Sequence, residues 1–441
     1  MKRSIKYLLS ALIALLLLSC NREVKPAPVP PADRSYTIIC YISCGNLDLD
    51  VDSMIKELCH VDVPKHINIL GIVKWTEQYV SNMSDGTGGV TRFKYNHGLH
   101  NITRWSHDDK KFCVGDPENI AEVVTWAKEE SPADEYIILF FGHGISYNPK
   151  FDAITRGTLY DPYYRTYAGV ETIAKGLASS DTHFSLTILN SCLMNTMEYI
   201  TELAPYTDYL LASSHVAYTN TQELKLLVEG LMEYGNNEGS AIELSVDYDI
   251  SKEFELYLDD PQCVTDKMLS KSSAVAHFNA EICTFVDIVA SLYNEENEIG
   301  QEAFVAKYNF TTADIDEALA TSYYFHGVFC EAENNETSSG DPFYSFDIVD
   351  VVSRVAAATA HPDLLATAES IVEAANSMVV CYESCFVKGV DRVYPSVTLV
   401  NAEQWYELGF GEARYEDLAF DIATGWSRLL QLNNAAYPHS I

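Results

Sequence analysis

Apolar residues in this chain gather into short runs that end in small polar residues, and two such runs carry the most informative positions. Tyr136–Phe141 is closed by Gly142-His143-Gly144, and Phe184–Leu189 is closed by Asn190-Ser191-Cys192. Short β-rich runs bounded in this way read as buried strands of a parallel sheet. Tyr36–Ser43, Ile67–Val73, Val90–Tyr95 and Asp208–Ala212 read as further strands. Between the runs the period changes from two to that of a helix. Asp116-Pro117 supplies an N-cap acid and a proline at the first helical position, after which Ile120, Val123, Val124 and Ala127 share one face. Helices are also predicted over 47–60, near 169–178 and over 196–203, with a polar loop from 145 to about 165. The glycine-rich Ser84–Gly89 stands between a polar segment and a strand, which predicts a hairpin turn, not a phosphate loop. Strands alternating with helices at this rhythm predict an α/β fold over residues 35–221: a three-layer α/β/α sandwich with a mostly parallel sheet.

Beyond Gln222 the pattern lengthens into helical segments at Glu223–Tyr234, Ala241–Leu258 and Phe346–Ala360, with strand candidates such as Val390–Leu399 interleaved. Residues 222–441 are therefore expected to form an α-rich C-terminal extension packed on the sandwich. At the other end Lys2, Arg3 and Lys6 precede an apolar run from Tyr7 to Leu18, and Leu17-Leu18-Ser19-Cys20 reads as a lipobox. The run is short for a membrane span, so residues 1–19 are expected to be a lipoprotein signal peptide, with Cys20 the acylated residue. An ordinary signal peptide or a membrane anchor is the alternative. Pro26, Pro28, Pro30 and Pro31 make residues 20–34 a stiff tether. The expected location is the bacterial cell envelope, held in lipid through Cys20, with an outer membrane favoured and the side it faces left open.

A length of 441 residues exceeds what one core usually supports, and 47% apolar content excludes a disordered chain. Removing residues 1–19, which carry three cations and no acid, moves the formal charge from −34 to −37. So acidic a surface repels nucleic acid and anionic membrane, so neither is an expected partner, and it favours cationic or basic substrates. The chain has 11 cysteines, and their spacing does not resemble a disulfide scaffold. Cys40 with Cys44, and Cys381 with Cys385, read as small core residues, and no clustered ligand set for zinc is visible.

The chemistry follows from a histidine and a cysteine at two strand ends, where open α/β sheets place their sites. An imidazolium beside a thiol lowers its pKa by several units and yields a nucleophilic thiolate. His143 can return its proton to a leaving amine, and the amides of Gly144 and Cys192 are the natural oxyanion donors. Singly, a buried core cysteine and a loop histidine are the simpler readings. Together, His143 and Cys192 stand 49 positions apart in the order histidine then cysteine, the caspase-like arrangement and not the papain-like one.

At these residues the chain resembles the clostripain family of cysteine peptidases, relatives of caspases, legumains and gingipains. The resemblance extends over Tyr36–Tyr41 with Asn46-Leu47-Asp48, Gly115–Glu118, His143-Gly144, Cys192–Met194, Asp208–Ser213 and Ala423–Trp426. It implies a caspase-like fold, a dyad at His143 and Cys192, and endopeptidase activity, often after arginine or lysine. Asn190 stands where the family usually has an aspartate, and Ser214–Asn220 replaces a usually acidic stretch. Asn190, Ser213 and Ser214 are the pocket candidates, and an unpaired buried cation there is costly. Some relatives cut themselves in the loop after the histidine, which points to Lys150 or, better, Arg156. Calcium supports some relatives; Asp161 could bind it, no run has EF-hand spacing, and no metal site is assigned. The rival reading is a retired peptidase scaffold that binds peptides or proteins at a surface.

Overall fold

Tyr36–Ser43 forms the first strand, β1, and all eight of its residues are buried, as expected of a strand covered on both faces. A computed structural model describes residues 33–76, 79, 89–106, 112–144, 158–161, 164, 166–215, 217, 221–257, 265–322, 345–385, 392–399 and 415–432. The signal segment, Cys20 and the tether to residue 32 lie outside them, as do Lys150, Arg156 and most of the glycine-rich turn.

The further strands in chain order are β2 (Ile67–Lys74), β3 (Val90–Asn96), β4 (Asn101–Ser106), β5 (Glu135–Phe141), β6 (Thr158–Asp161), β7 (Thr166–Ala168), β8 (Leu186–Asn190), β9 (Tyr209–Ala212), β10 (Asp266–Lys271), β11 (Ser345–Asp347), β12 (Val379–Ser384) and β13 (Ser396–Thr398). Nine of them make one sheet in the order β12-β10-β9-β8-β5-β1-β2-β3-β4. The central five, from β9 to β2, are parallel. The strands added at each edge are antiparallel. The α/β sandwich read from the sequence is therefore present, with a parallel core inside a mixed sheet.

Alternate residues of the strands feed two separate cores. Ile39, Tyr41, Ile138, Phe140 and Leu189 face one way, against the helices Pro117–Glu130, Val170–Ser179, Met197–Leu203 and Ser272–Ile299. Ile38, Cys40, Ile42, Leu139, Phe141 and Ile188 face the other way, against the helices Asp48–Glu57, Glu223–Tyr234 and Ala241–Glu255. The period of two in the strands is thus what separates the three layers. Ser272–Ile299 is long and apolar enough to cross a membrane by composition, but it lies in the first core, burying Val275, Phe278, Ile282, Phe285, Val286 and Val289.

Residues 222–441 do more than cover the sandwich. They supply β10 and β12 to its sheet, and Arg34–Ile441 forms one compact unit. β10 reads poorly as a strand in sequence because it contains Asp266 and Lys267, both buried. Within the polar loop expected over 145–165, β6 and β7 form a small two-stranded ribbon.

The topology fixes where a site can form. The chain runs from β1 outward to β2 on one side and to β5, β8 and β9 on the other, so the direction reverses between β1 and β5. Parallel sheets open a crevice at the carboxyl ends of the strands at such a switch point. The segments that follow Ser43, Phe141, Asn190 and Ala212 converge there.

Candidate active site

His143 leaves the carboxyl end of β5 and is met by Gly45 and Asn46, which follow β1. Gly45 has a φ of +60°, and a Cβ there would lie 2.6 Å from His143 Cδ2, so only glycine lets the imidazole lie against this turn. His143 Nε2 makes a short hydrogen bond with Asn46 Oδ1. Because the partner is an amide oxygen, Nε2 carries the proton and Nδ1 is left with its lone pair.

Gly144 brings the second loop in. A Cβ on it would lie 2.3 Å from the Cys192 carbonyl oxygen and 2.8 Å from the Cys192 nitrogen. The glycine after the histidine is needed for this contact between the two loops. Gly142 N also donates to Asn190 O, at 3.3 Å, tying the ends of β5 and β8.

The cysteine turn is clamped along its length. Leu193 holds a φ of +63°, an unfavourable value for a branched residue, and its N–H donates to the His215 carbonyl at 2.9 Å. Asn195 N donates to Ser213 O at 2.9 Å, and Asn195 Nδ2 donates to Ser214 Oγ at 2.9 Å. Asp266 of β10 in turn accepts from Ser214 N at 3.1 Å and from His215 N at 2.7 Å. On the other flank Thr158 Oγ1 is hydrogen-bonded to Ser191 Oγ. The helix that follows begins at Met197, with Thr196 capping Tyr199 N.

Cys192 Sγ points at the Ala217 carbonyl, 3.9 Å away. Burial pushes its thiol pKa up, partly offset by backbone hydrogen bonding at Ala217 and at Cys192 itself, while burial pushes the His143 pKa down. Both groups are therefore neutral at pH 7. These directions favour the neutral pair over the thiolate–imidazolium pair expected from the residue types. The amides of Gly144 and Cys192 donate to no backbone acceptor among the described residues.

Of the pocket candidates, Asn190 is 6% exposed at the end of β8, and its Nδ2 has no partner among the described residues. Ser213 and Ser214 are fully buried. The Ser214 hydroxyl is engaged by Asn195, so it supports the cysteine turn. Asp161 pairs with Lys74 at 2.7 Å and accepts from Val114 N and Tyr164 N at 3.1 Å each, which occupies both carboxylate oxygens. Among the described residues no group of three or more His, Cys, Asp or Glu is placed to hold a metal ion.

The family model for the clostripain family matches residues 85–428. The chain belongs to the clostripain family. This clostripain-family chain also superimposes on solved structures of C11 proteases. With an inactive zymogen C11 protease from Parabacteroides distasonis the TM-score is 0.59 at 14% identity, covering 90% of this chain and 99% of the other. With a secreted C11 cysteine protease from Bacteroides thetaiotaomicron, in complex with an irreversible peptide inhibitor, it is 0.57 at 13% identity, covering 89% and 99%. A further structure of a secreted C11 cysteine protease from Bacteroides thetaiotaomicron, iotapain, gives 0.56 at 14% identity, covering 89% and 99%. No curated protein matches the chain in sequence. The caspase-like fold and a cysteine endopeptidase identity follow from family membership, and a peptide or protein is the substrate class.

Asn46, Asp266 and the Thr158–Ser191 contact escape a reading of the sequence. Asn46 lay within a motif that carried the family resemblance, but a role for it needs the 97-residue separation from His143 to be closed by the fold.

Proposed function

We propose that Cys192 and His143 are the catalytic dyad of a lipid-anchored endopeptidase. The observation that carries this reading is the backbone contact of Gly144 with Cys192, which puts the histidine and cysteine loops against each other. His143 Nδ1 takes the thiol proton as Sγ bonds to the scissile carbonyl carbon. The carbonyl oxygen becomes an oxyanion facing the amides of Gly144 and Cys192. Collapse of this intermediate breaks the C–N bond, His143 delivers the proton to the leaving amine, and an acyl-thioester remains. Water, deprotonated by the same Nδ1, then releases the acid and restores the thiol. Starting from two neutral groups, proton transfer accompanies attack, so no standing ion pair is required.

A positionally scanned fluorogenic peptide library, incubated with wild type and with Cys192→Ala, tests the dyad. Cleavage by wild type alone is the expected outcome. Turnover that survives in Cys192→Ala would remove the assignment, and peptide binding without turnover would favour a retired scaffold. The same library reads whether cleavage follows lysine or arginine, as the resemblance implies. Cleavage of the chain itself at Arg156 or Lys150 is part of the proposal. Wild type is expected to yield two fragments on a denaturing gel and Cys192→Ala one, and intact active wild type would discard self-processing.

A further inference from the structure

Arg392 adjoins the small apolar cluster against which Cys192 packs, and it makes no ion pair among the described residues. Cys192 and Tyr382 of β12 both pack against the same small apolar cluster, Leu193 with Val393. Arg392 immediately precedes Val393, and its guanidinium lies 5.8 Å from the Tyr382 ring centroid and 4.9 Å from that of Tyr394. Two aromatic faces fix the direction of the group before any ligand arrives. Its Nη1 donates to the neutral Asn376 Oδ1 at 3.2 Å, while Nε is buried with no partner among the described residues. Arg392 makes no ion pair among the described residues, whereas Arg34, Arg92, Arg104, Arg354 and Arg428 each do. In a chain with a formal charge of −34, Arg392 is thus the exception among the described arginines.

A guanidinium held by one neutral amide oxygen keeps outer donors that a ligand acceptor can take up. The group best matched to a planar, pre-oriented guanidinium is a carboxylate. We propose that Arg392 is a specificity-determining residue that receives an acidic side chain of the substrate, within about three residues of extended peptide from the scissile bond. This rests on Cys192 as the nucleophile, and it concerns a subsite apart from the residue at the cut.

The test compares peptides that differ only by Glu against Gln at each position from three before to three after the cut. For wild type one position is expected to favour Glu by about 10-fold or more in kcat/KM, the size of one charge-assisted hydrogen bond. In Arg392→Ala the Glu/Gln ratio at that position is expected to fall to about one, and in Arg392→Lys to an intermediate value. Raising ionic strength should shrink the wild-type ratio, a readout that does not depend on either variant folding. No position favouring Glu in wild type, or a preference that Arg392→Ala retains, overturns the proposal. If no peptide is cut, the dyad reading fails separately. The Glu and Gln peptides are then compared by fluorescence anisotropy on Cys192→Ala protein, where equal binding overturns the role of Arg392 and tighter Glu binding supports it.

Discussion

Asn46 shows how one polar atom can set the direction of a proton. By accepting from His143 Nε2, it leaves Nδ1 as the basic nitrogen and holds the ring against Gly45. Asn46 is a positioning residue in this reading, acting through His143 without touching the reacting atoms. Asn46→Ala is expected to lower kcat by about 100-fold with little change in KM, the effect of a misplaced catalytic group. The pH profile separates this role from a merely structural one. Burial lowers the His143 pKa below its ordinary value of 6.5, and the protonated ring has no base to offer. The acid limb of kcat/KM is therefore expected below pH 6.5 in wild type. Asn46→Asp keeps the acceptor but adds a negative charge, which favours the imidazolium, so the limb should move to higher pH. A wild-type limb above 6.5 would instead indicate a standing thiolate–imidazolium pair. A limb that does not move in Asn46→Asp would take Asn46 out of the mechanism.

At the scale of elements, β10 and the two helices over it form a buried polar knot at the edge of the parallel core. Lys267 of β10 pairs with Glu223 at 3.0 Å and Glu253 at 2.5 Å, and all three side chains are at most 5% exposed. Asp249 is wholly buried beside them, and neither of its oxygens has a hydrogen-bond partner among the described residues. Lys267→Met leaves the carboxyls without their cation and is expected to cost about 3–5 kcal/mol, read by urea denaturation. Burial, as the largest cause, pushes the Asp249 pKa well above 3.8, so the folded chain retains a proton that the unfolded chain releases near pH 4. Stability from this group is thus fully present below that pH and declines as pH rises above it. Asp249→Asn, of the same shape, should remove the decline, raising Tm relative to wild type at neutral pH and matching it in acid. Equal Tm differences at both pH values would show that Asp249 is not protonated in the fold. The same elements explain what the sequence could and could not disclose. β1, β5, β8 and β9 were legible because continuous apolar runs describe strands covered on both faces. β10 was not, because its buried charges are satisfied by partners on other elements, and local pattern carries no trace of those. β6 is four residues long, and Leu159 within it has a φ of +61°, so it has no period to detect. His143 and Cys192 were legible as strand-end residues, whereas Asn46 and Arg392 gained meaning once the fold closed distances along the chain.

For the whole molecule, the proposed anchor sets charge against lipid in deciding where the site can work. Loss of the proposed signal segment would leave a body with a formal charge of −37, which anionic lipid surfaces repel, so charge alone would keep it in solution. Acylation at Cys20 would overcome this, because two or three chains hold a protein stably where one is marginal. The proline-rich residues 20–34 would then set the reach of the body from the lipid, since such a segment extends about 3.1 Å per residue. Cys20→Ser is therefore expected to move the protein from the detergent phase to the aqueous phase in a detergent partition experiment. Peptide turnover per molecule should be unchanged, because Arg34–Ile441 forms a compact unit that contains both His143 and Cys192. Cleavage of substrates held in the same membrane should fall, because release dilutes the enzyme from a surface into bulk volume. Aqueous partitioning of wild type would sink the anchor while leaving the dyad untouched. Loss of peptide turnover in Cys20→Ser would instead show that the tether contributes to the site as well as to its location.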